Sequence, residues 1–254
     1  TYTVMPRTGG TVISTLDIPM QQLAENSLER QIKAVTTYDA IAGGMTPAGA
    51  VVVEDVKTGA ILASASFPDF SLSTYYEDYE TLAADEGKPL WNRAFQSGYS
   101  PGSTMKPATA IAGLEEGVIA PNSGMMCNGT YEYIDQTFVC FNKTAHGWVN
   151  VRTALAHSCN IFFFDLAQKL GIQKLNSYAS LLGLGQKTGV EINETAGLLA
   201  GYDERSAKGL GWKLGETLLA AIGQSDNSFS PLQLTNYCAT IANGGTRYVP
   251  YLVS

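Results

Sequence analysis

The sequence predicts an α+β fold, with an antiparallel sheet beside a helical region. Three observations carry that expectation. Ala50–Val56 and Ala60–Ala65 are β-rich segments that flank Lys57-Thr58-Gly59 and read as a hairpin. Beyond Ser103, apolar residues recur mostly at helical spacing, so strands come first and helices follow, an order that separates α+β domains from alternating βα units. The 254 residues are 45% hydrophobic and 15% charged, enough apolar material for one large core, or one core plus a small appendage.

Each element has its own signal. Gly10–Asp17 alternates in character and is expected to form a strand. Asp17 is placed to cap a helix with Pro19 in its first turn, and Met20, Leu23, Ala24, Leu28, Ile32 and Val35 line one face of it. Ser71–Lys88 reads as a loop rich in Tyr, Asp and Glu. Gly102 precedes a helical stretch from Ser103 to about Val118. A less regular segment carrying Cys127 and Cys140 leads to a second helical region, Val151–Leu170, closed by Gly171. Ile172–Leu182 is a short helix closed by Gly183. Ser230-Pro231, a cap residue with proline at the first helical position, opens a last helix that ends at Asn243-Gly244-Gly245. Tyr248–Val253 reads as the start of a strand.

Composition excludes several classes of function. The net charge is −7 and Lys and Arg never cluster, so no basic face is available for nucleic acid. No apolar run approaches the roughly 18–20 residues that span a bilayer. The first residue is Thr1 and no signal peptide precedes it, so the chain reads as a piece of something longer.

The chemistry concentrates in Ser103-Thr104-Met105-Lys106, within Tyr99–Pro107. Gly102 allows a sharp turn, and residues three apart on a helix share a face, so Lys106 can reach Ser103 Oγ. A serine hydroxyl attacks only if a neighbour takes its proton, and a buried lysine with a lowered pKa can do so. The helix N-terminus also favours the oxyanion formed when Ser103 attacks a carbonyl. On spacing alone, a serine and lysine three apart carry little weight.

Ser158-Cys159-Asn160 follows 55 residues later. Its hydroxyl can relay a proton between Lys106 and a leaving amine, and its amide can hold Lys106 and a substrate peptide. Ser225-Asp226-Asn227 spells a competing serine–asparagine motif but falls in a turn before the last helix, and we read it as structural. His157 adjoins Ser158, yet adjacent helical residues do not face one another.

Asn92-Arg93-Ala94, Tyr99–Pro107 and Ala156–Phe164 together resemble the transpeptidase domain of class B penicillin-binding proteins. So do Ile222-Gly223-Gln224, Ser230–Leu234, Ile241–Gly245, and Ser14–Asp17 with Gln21-Gln22. The resemblance runs in order across nearly the whole chain. It implies the α+β fold shared with serine β-lactamases, here without its C-terminal sheet strands. Residues 1–254 then form a transpeptidase domain incomplete at its C-terminus, with residues 1–15 a remnant of the junction to an N-terminal pedestal domain.

By the same resemblance, Ser103 is the nucleophile, Lys106 the base, and Ser158 and Asn160 the second motif. The implied partners are peptidoglycan stem peptides, β-lactams and other cell-wall synthesis proteins. The parent protein is expected at the outer face of a bacterial cytoplasmic membrane, held by an N-terminal anchor. No cofactor is required for the chemistry.

The family also needs a Lys-Thr/Ser-Gly strand that supplies a cation and an oxyanion-hole N–H. Two such triplets occur. Lys57-Thr58-Gly59 sits at a hairpin tip, and Lys187-Thr188-Gly189 follows a run that matches a loop of the family between helices. Neither suits the role, the true strand is expected beyond Val253, and the chain as given is expected to be a poor transpeptidase.

Cys127, Cys140, His146 and Cys159 lie within 33 residues and form a donor set for tetrahedral zinc, with Cys159 pointing away from the cleft. A Cys127–Cys140 disulfide with Cys159 merely buried, and unlinked thiols, are the competing readings. Cys238 reads as a small core residue. A serine β-lactamase, a β-lactam sensor and a non-catalytic cell-wall scaffold are the alternative functions. No glutamate in a recognisable loop supports the first, the second would show a neighbouring signalling segment, and intact Ser103, Lys106, Ser158 and Asn160 argue against the third.

Overall fold

A computed structural model describes residues 9–38 and 47–254. Helix α1 (Ile18–Tyr38) leads to a hairpin of β1 (Gly49–Glu54) and β2 (Ile61–Phe67), paired antiparallel from Gly49↔Phe67 to Glu54↔Ile61. Asp17 caps α1 by accepting the Met20 N–H at 2.9 Å. The Gln21 side chain donates to the Ser64 carbonyl at 2.8 Å and accepts the Ser64 N–H at 2.7 Å. It thereby covers that point of the outer edge of β2. Met20, Ala24 and Leu28 pack on Val51, Val53, Ala63 and Ala65.

The remaining elements build the helical side. They are α2 (Tyr75–Ala84), α3 (Arg93–Gln96), α4 (Lys106–Glu115), α5 (Val151–Ala156), α6 (Asn160–Leu170), α7 (Ile172–Leu181), α8 (Tyr202–Ala207), α9 (Leu214–Ala221) and α10 (Pro231–Ala242). Two small antiparallel pairs fill the segment around the cysteines. β3 (Gly124–Cys127) pairs with β6 (Gly147–Asn150), and β4 (Thr130–Tyr133) pairs with β5 (Gln136–Val139). Phe162, Phe163, Phe164, Leu166 and Leu218 form the helical core with all three buried cysteines. Each such fully buried aromatic or aliphatic side chain contributes roughly 1.5–3 kcal/mol. Phe95, Ile61, Val190 and Leu232 form a second core that joins the sheet to α10.

Several expectations need correction. Gly10–Asp17 and Tyr248–Val253 are not strands: they meet at the single bridge Ser14↔Val253, and Tyr251 bridges Ala60. Each finds a partner for only one or two residues, and Glu191 takes the Leu252 N–H at 3.0 Å with a side chain instead. The acidic, aromatic segment after β2 holds α2, which buries none of its residues and so lacked a one-sided apolar pattern. The second helical region is two helices broken at Ser158. Cys238 is exposed on α10, not part of a core. The first 8 residues of the expected junction remnant lie outside the described residues.

Candidate active site

The surroundings of Ser103 are built from three chain segments. Gly102–Met105 forms a 3-10 turn, and α4 starts only at Lys106. Ser103 thus stands in the turn that opens the helix, exposed, while Lys106 is 1% exposed. Pro107 occupies the first turn, where its missing N–H matters least. The next orphan donor, the Ala108 N–H, goes to the Tyr237 hydroxyl of α10 at 2.9 Å. Thr109 Oγ1 donates to the Ala221 carbonyl at 2.8 Å. These bonds fix α4 against α9 and α10.

Helix α5 ends through Ser158, whose backbone is left-handed at φ 51°. Its N–H donates to the Leu155 carbonyl at 3.1 Å, and the Cys159 N–H donates to Ala154 at 2.8 Å. Glycine usually takes this closing position, and another residue costs about 1–2 kcal/mol there. Here the conformation turns both the carbonyl and the hydroxyl of Ser158 onto Lys106. The Lys106 amine lies 2.7 Å from Asn160 Oδ1, 2.8 Å from both Ser158 O and Ser158 Oγ, and 3.2 Å from Ser103 Oγ. Ser158 Oγ is 2.8 Å from Ser103 Oγ. The structure therefore brings Ser103, Lys106, Ser158 and Asn160 into one hydrogen-bonded cluster.

Burial pushes the Lys106 amine down to about 8, against the opposing pull of Cys140 and Cys159. A neutral amine has two N–H groups and one lone pair. Asn160 Oδ1 and the Ser158 carbonyl can only accept, so they take the N–H groups and leave the lone pair for a hydroxyl proton.

The four expected metal-binding side chains also converge. The Sγ atoms of Cys127, Cys140 and Cys159 and a ring nitrogen of His146 all lie within 4.8 Å of one another. Cys140 and Cys159 sulfurs are 3.9 Å apart, and His146 Nδ1 is 3.4 Å from Cys140 Sγ and 3.6 Å from Cys127 Sγ. None of these cysteines is disulfide-bonded. Burial raises the Cys127 thiol, but the backbone N–H groups of His146 and Gly129, with the side chains of Cys159 and Cys140, together hold it below its ordinary value.

The decoys are occupied elsewhere. In the hairpin turn, the Lys57 and Thr58 N–H groups donate to Asp55. Buried Glu194 takes the Thr188 N–H, the Thr188 hydroxyl and the Gly189 N–H at 2.8–3.0 Å. Asn227 Nδ2 donates to the Ala220 carbonyl and its Oδ1 accepts the Ala200 N–H, so that buried side chain is engaged in the fold. His157 is exposed and stacks on His146, with ring centroids 5.6 Å apart.

Sequence reasoning missed the support beneath the Ser103 turn. The Gly102 N–H and the Ser100 hydroxyl both donate to the Gly223 carbonyl, at 2.9 and 2.8 Å. A Cβ on Gly223 would stand 2.0 Å from Gly102 O, so only glycine fits. Tyr99 and Phe229 exchange both backbone hydrogen bonds at 2.9 Å. The only signal for this contact was the unexplained glycine in Ile222-Gly223-Gln224.

Ser103, the buried Lys106 amine and the Ser158–Asn160 turn thus share one cluster on an α+β frame. Residues 49–254 match the penicillin binding protein transpeptidase domain, and the chain belongs to that family. The chain is similar to peptidoglycan D,D-transpeptidases of the MrdA type and to solved PBP2 structures. It is 36% identical over 215 residues to the peptidoglycan D,D-transpeptidase MrdA of Acinetobacter baumannii, covering 81% of this chain and 32% of that protein. The structure of Pseudomonas aeruginosa PBP2 in complex with WCK 5153 superposes with a TM-score of 0.83 at 33% identity, covering 95% of this chain and 53% of that one. A chain of a peptidoglycan synthase complex, described as coordinating polymerization and crosslinking, gives 0.87 at 36% identity, covering 95% and 43%. The chain spans about a third of the length of the curated MrdA relatives it matches. No described helix is long and apolar enough to cross a membrane.

Proposed function

We propose that this chain carries the acyl-transfer site of a peptidoglycan D,D-transpeptidase that works through a serine ester. The observation that carries this reading is the Lys106 amine held within 3.2 Å of Ser103 Oγ while two pure acceptors occupy its N–H groups. Lys106 takes the Ser103 proton as Oγ attacks the carbonyl of the penultimate D-alanine. The Ser103 N–H, at the head of the helix, donates to the oxyanion. The peptide C–N bond breaks, the terminal D-alanine leaves with a proton relayed through Ser158 Oγ, and an ester remains on Ser103. An acceptor amine then attacks the ester, giving its proton back along the same path and forming the cross-link. A β-lactam acylates Ser103 in the same way, its ring nitrogen taking the proton as the amide C–N bond opens.

The protein works outside the cytoplasmic membrane, among other cell-wall synthesis proteins, as the likeness to a chain of a synthase complex supports. Neither Lys-Thr-Gly triplet joins the Ser103 cluster. The 254 residues by themselves therefore acylate slowly, by the roughly 10²–10³-fold that one missing oxyanion donor costs.

Cys127, Cys140, His146 and Cys159 hold a structural zinc ion. Three of their separations, 3.4, 3.6 and 3.9 Å, suit the edges of a tetrahedron with bonds of about 2.0–2.3 Å, and all four donor atoms lie within 4.8 Å of one another. Backbone N–H groups favour the Cys127 thiolate, whereas burial pushes the Cys159 thiol up to about 12, so Cys159 would ionise only with the ion bound. The ion takes no part in the acyl transfer, and its ligands steady Cys159 between Ser158 and Asn160.

Intact-mass measurement of the full-length protein after incubation with benzylpenicillin tests the reading. We expect one adduct of the drug's mass, absent in Ser103→Ala. An adduct that persists in Ser103→Ala sinks it.

A further inference from the structure

The nucleophile's turn rests on the segment Ala221–Phe229, and that segment is held from outside mainly by Arg205, with the Lys208 amine a longer 3.9 Å from Asp226. Arg205, on α8, contacts Glu216 Oε2 through Nη2 at 3.1 Å and pairs with Asp226 through Nε. All three side chains are largely buried, at 17%, 16% and 23% exposure. Between the two carboxylates lies Ser225, left-handed at φ 60°, whose hydroxyl donates to the same Glu216 oxygen at 2.6 Å. A non-glycine residue in that conformation persists only where its surroundings hold it. Two residues before it is Gly223, whose carbonyl carries the Gly102 N–H and the Ser100 hydroxyl.

We propose that Arg205 is a positioning residue for the acylation step. It rests on the serine mechanism proposed above. Its guanidinium joins α9 to the Ser225–Asp226 turn and neutralises two carboxylates that would otherwise repel one another. The Glu216 oxygen so fixed holds Ser225 left-handed. The carbonyl of Gly223 is thereby set, and with it the Gly102 turn and the position of Ser103 Oγ against Lys106. A lysine at 205 keeps the charge but offers no pair of edges for two carboxylates, so it replaces the arginine only in part. No group here touches substrate. The effect falls on the placement of the nucleophile, not on the recognition of the ligand.

Stopped-flow acylation of the full-length protein by nitrocefin separates the acylation rate constant from the preceding binding constant. Active-site titration with a fluorescent penicillin corrects for inactive protein. For Arg205→Ala we expect the acylation rate constant to fall about tenfold to hundredfold, the scale set by a displacement on the order of 1 Å. The binding constant should stay within about threefold, and Arg205→Lys should lie between the two. Adding Ser225→Gly to Arg205→Ala should restore part of the rate, because glycine holds the left-handed turn without Glu216. Lys174→Ala, which removes the surface pair with Glu116, is the control.

An unchanged acylation rate in Arg205→Ala overturns the proposal. So does a rate loss fully explained by inactive protein, or one that Ser225→Gly leaves unrelieved. If wild-type protein forms no Ser103 adduct at all, the serine mechanism itself has failed.

Discussion

Lys106 meets Ser158 twice: its amine lies 2.8 Å from the Ser158 carbonyl oxygen and 2.8 Å from the Ser158 hydroxyl. Both contacts depend on the left-handed backbone of Ser158, which points the two oxygens the same way. The carbonyl anchors the amine, and the hydroxyl connects it to Ser103 Oγ at 2.8 Å. In the proposed mechanism the two oxygens divide anchoring from proton relay.

Ser158→Ala separates those tasks. The carbonyl and the anchored amine remain, while the relay is lost. We expect acylation by penicillin to slow by about 10²-fold or more, the lower range for a positioned proton-transfer group. Thermal stability should change little, because the backbone strain is the same for alanine and serine. Stopped-flow acylation beside a melting curve checks both. A wild-type rate in Ser158→Ala removes the hydroxyl from the mechanism.

The basicity of Lys106 sets a pH profile. Burial brings its amine from 10.5 down to about 8, so the neutral form that can accept a proton grows as pH rises towards 8. Acylation should rise about tenfold per pH unit between pH 6 and 7 and level off above about pH 8. The direction is the reverse of a mechanism that needs a charged lysine. Second-order acylation rates from pH 5.5 to 9.5 test it, and a flat profile speaks against Lys106 as the base.

Removal of one ligand tests the cysteine cluster. Protein made without chelators should contain about one zinc per chain, and Cys140→Ser should lose most of it and melt at lower temperature. Chelation of the wild type should lower its midpoint in the same direction, because metal binding to a folded site is folding free energy. Absence of metal, with only two of the four thiols reactive after unfolding, would instead establish a disulfide.

Glu54 gives a second pH effect, on stability alone. Its Oε1 accepts from Asn236 Nδ2 at 2.9 Å, while its buried Oε2 has no partner. Burial pushes the carboxyl up to about 7, more than the Asn236 hydrogen bond lowers it. The folded protein therefore keeps a proton that the unfolded chain releases between pH 4.5 and about 7. Stability falls as pH rises through that window, and the loss is complete above it. Glu54→Gln should gain on the wild type by roughly 1 kcal/mol between pH 4.5 and 8, after allowance for solvent screening. Urea midpoints at the two pH values measure it. A constant difference between the two proteins contradicts the assignment.

What the sequence by itself determined was local. The hairpin at Lys57-Thr58-Gly59, the Asp17 and Ser230 caps, and the reach of Lys106 to Ser103 each depend on residues within about one turn of one another. Tertiary structure decided the rest. It brought Ser158 and Asn160 to an amine 52 and 54 residues away, and buried that amine deeply enough to lower its basicity. It seated Gly223 against Gly102, and gave the second Lys-Thr-Gly triplet to a turn around Glu194. It also reduced two expected strands to isolated bridges. Periodicity records which face of an element is apolar. It carries no record of where a segment far along the chain will lie, and burial and close backbone approach are set there.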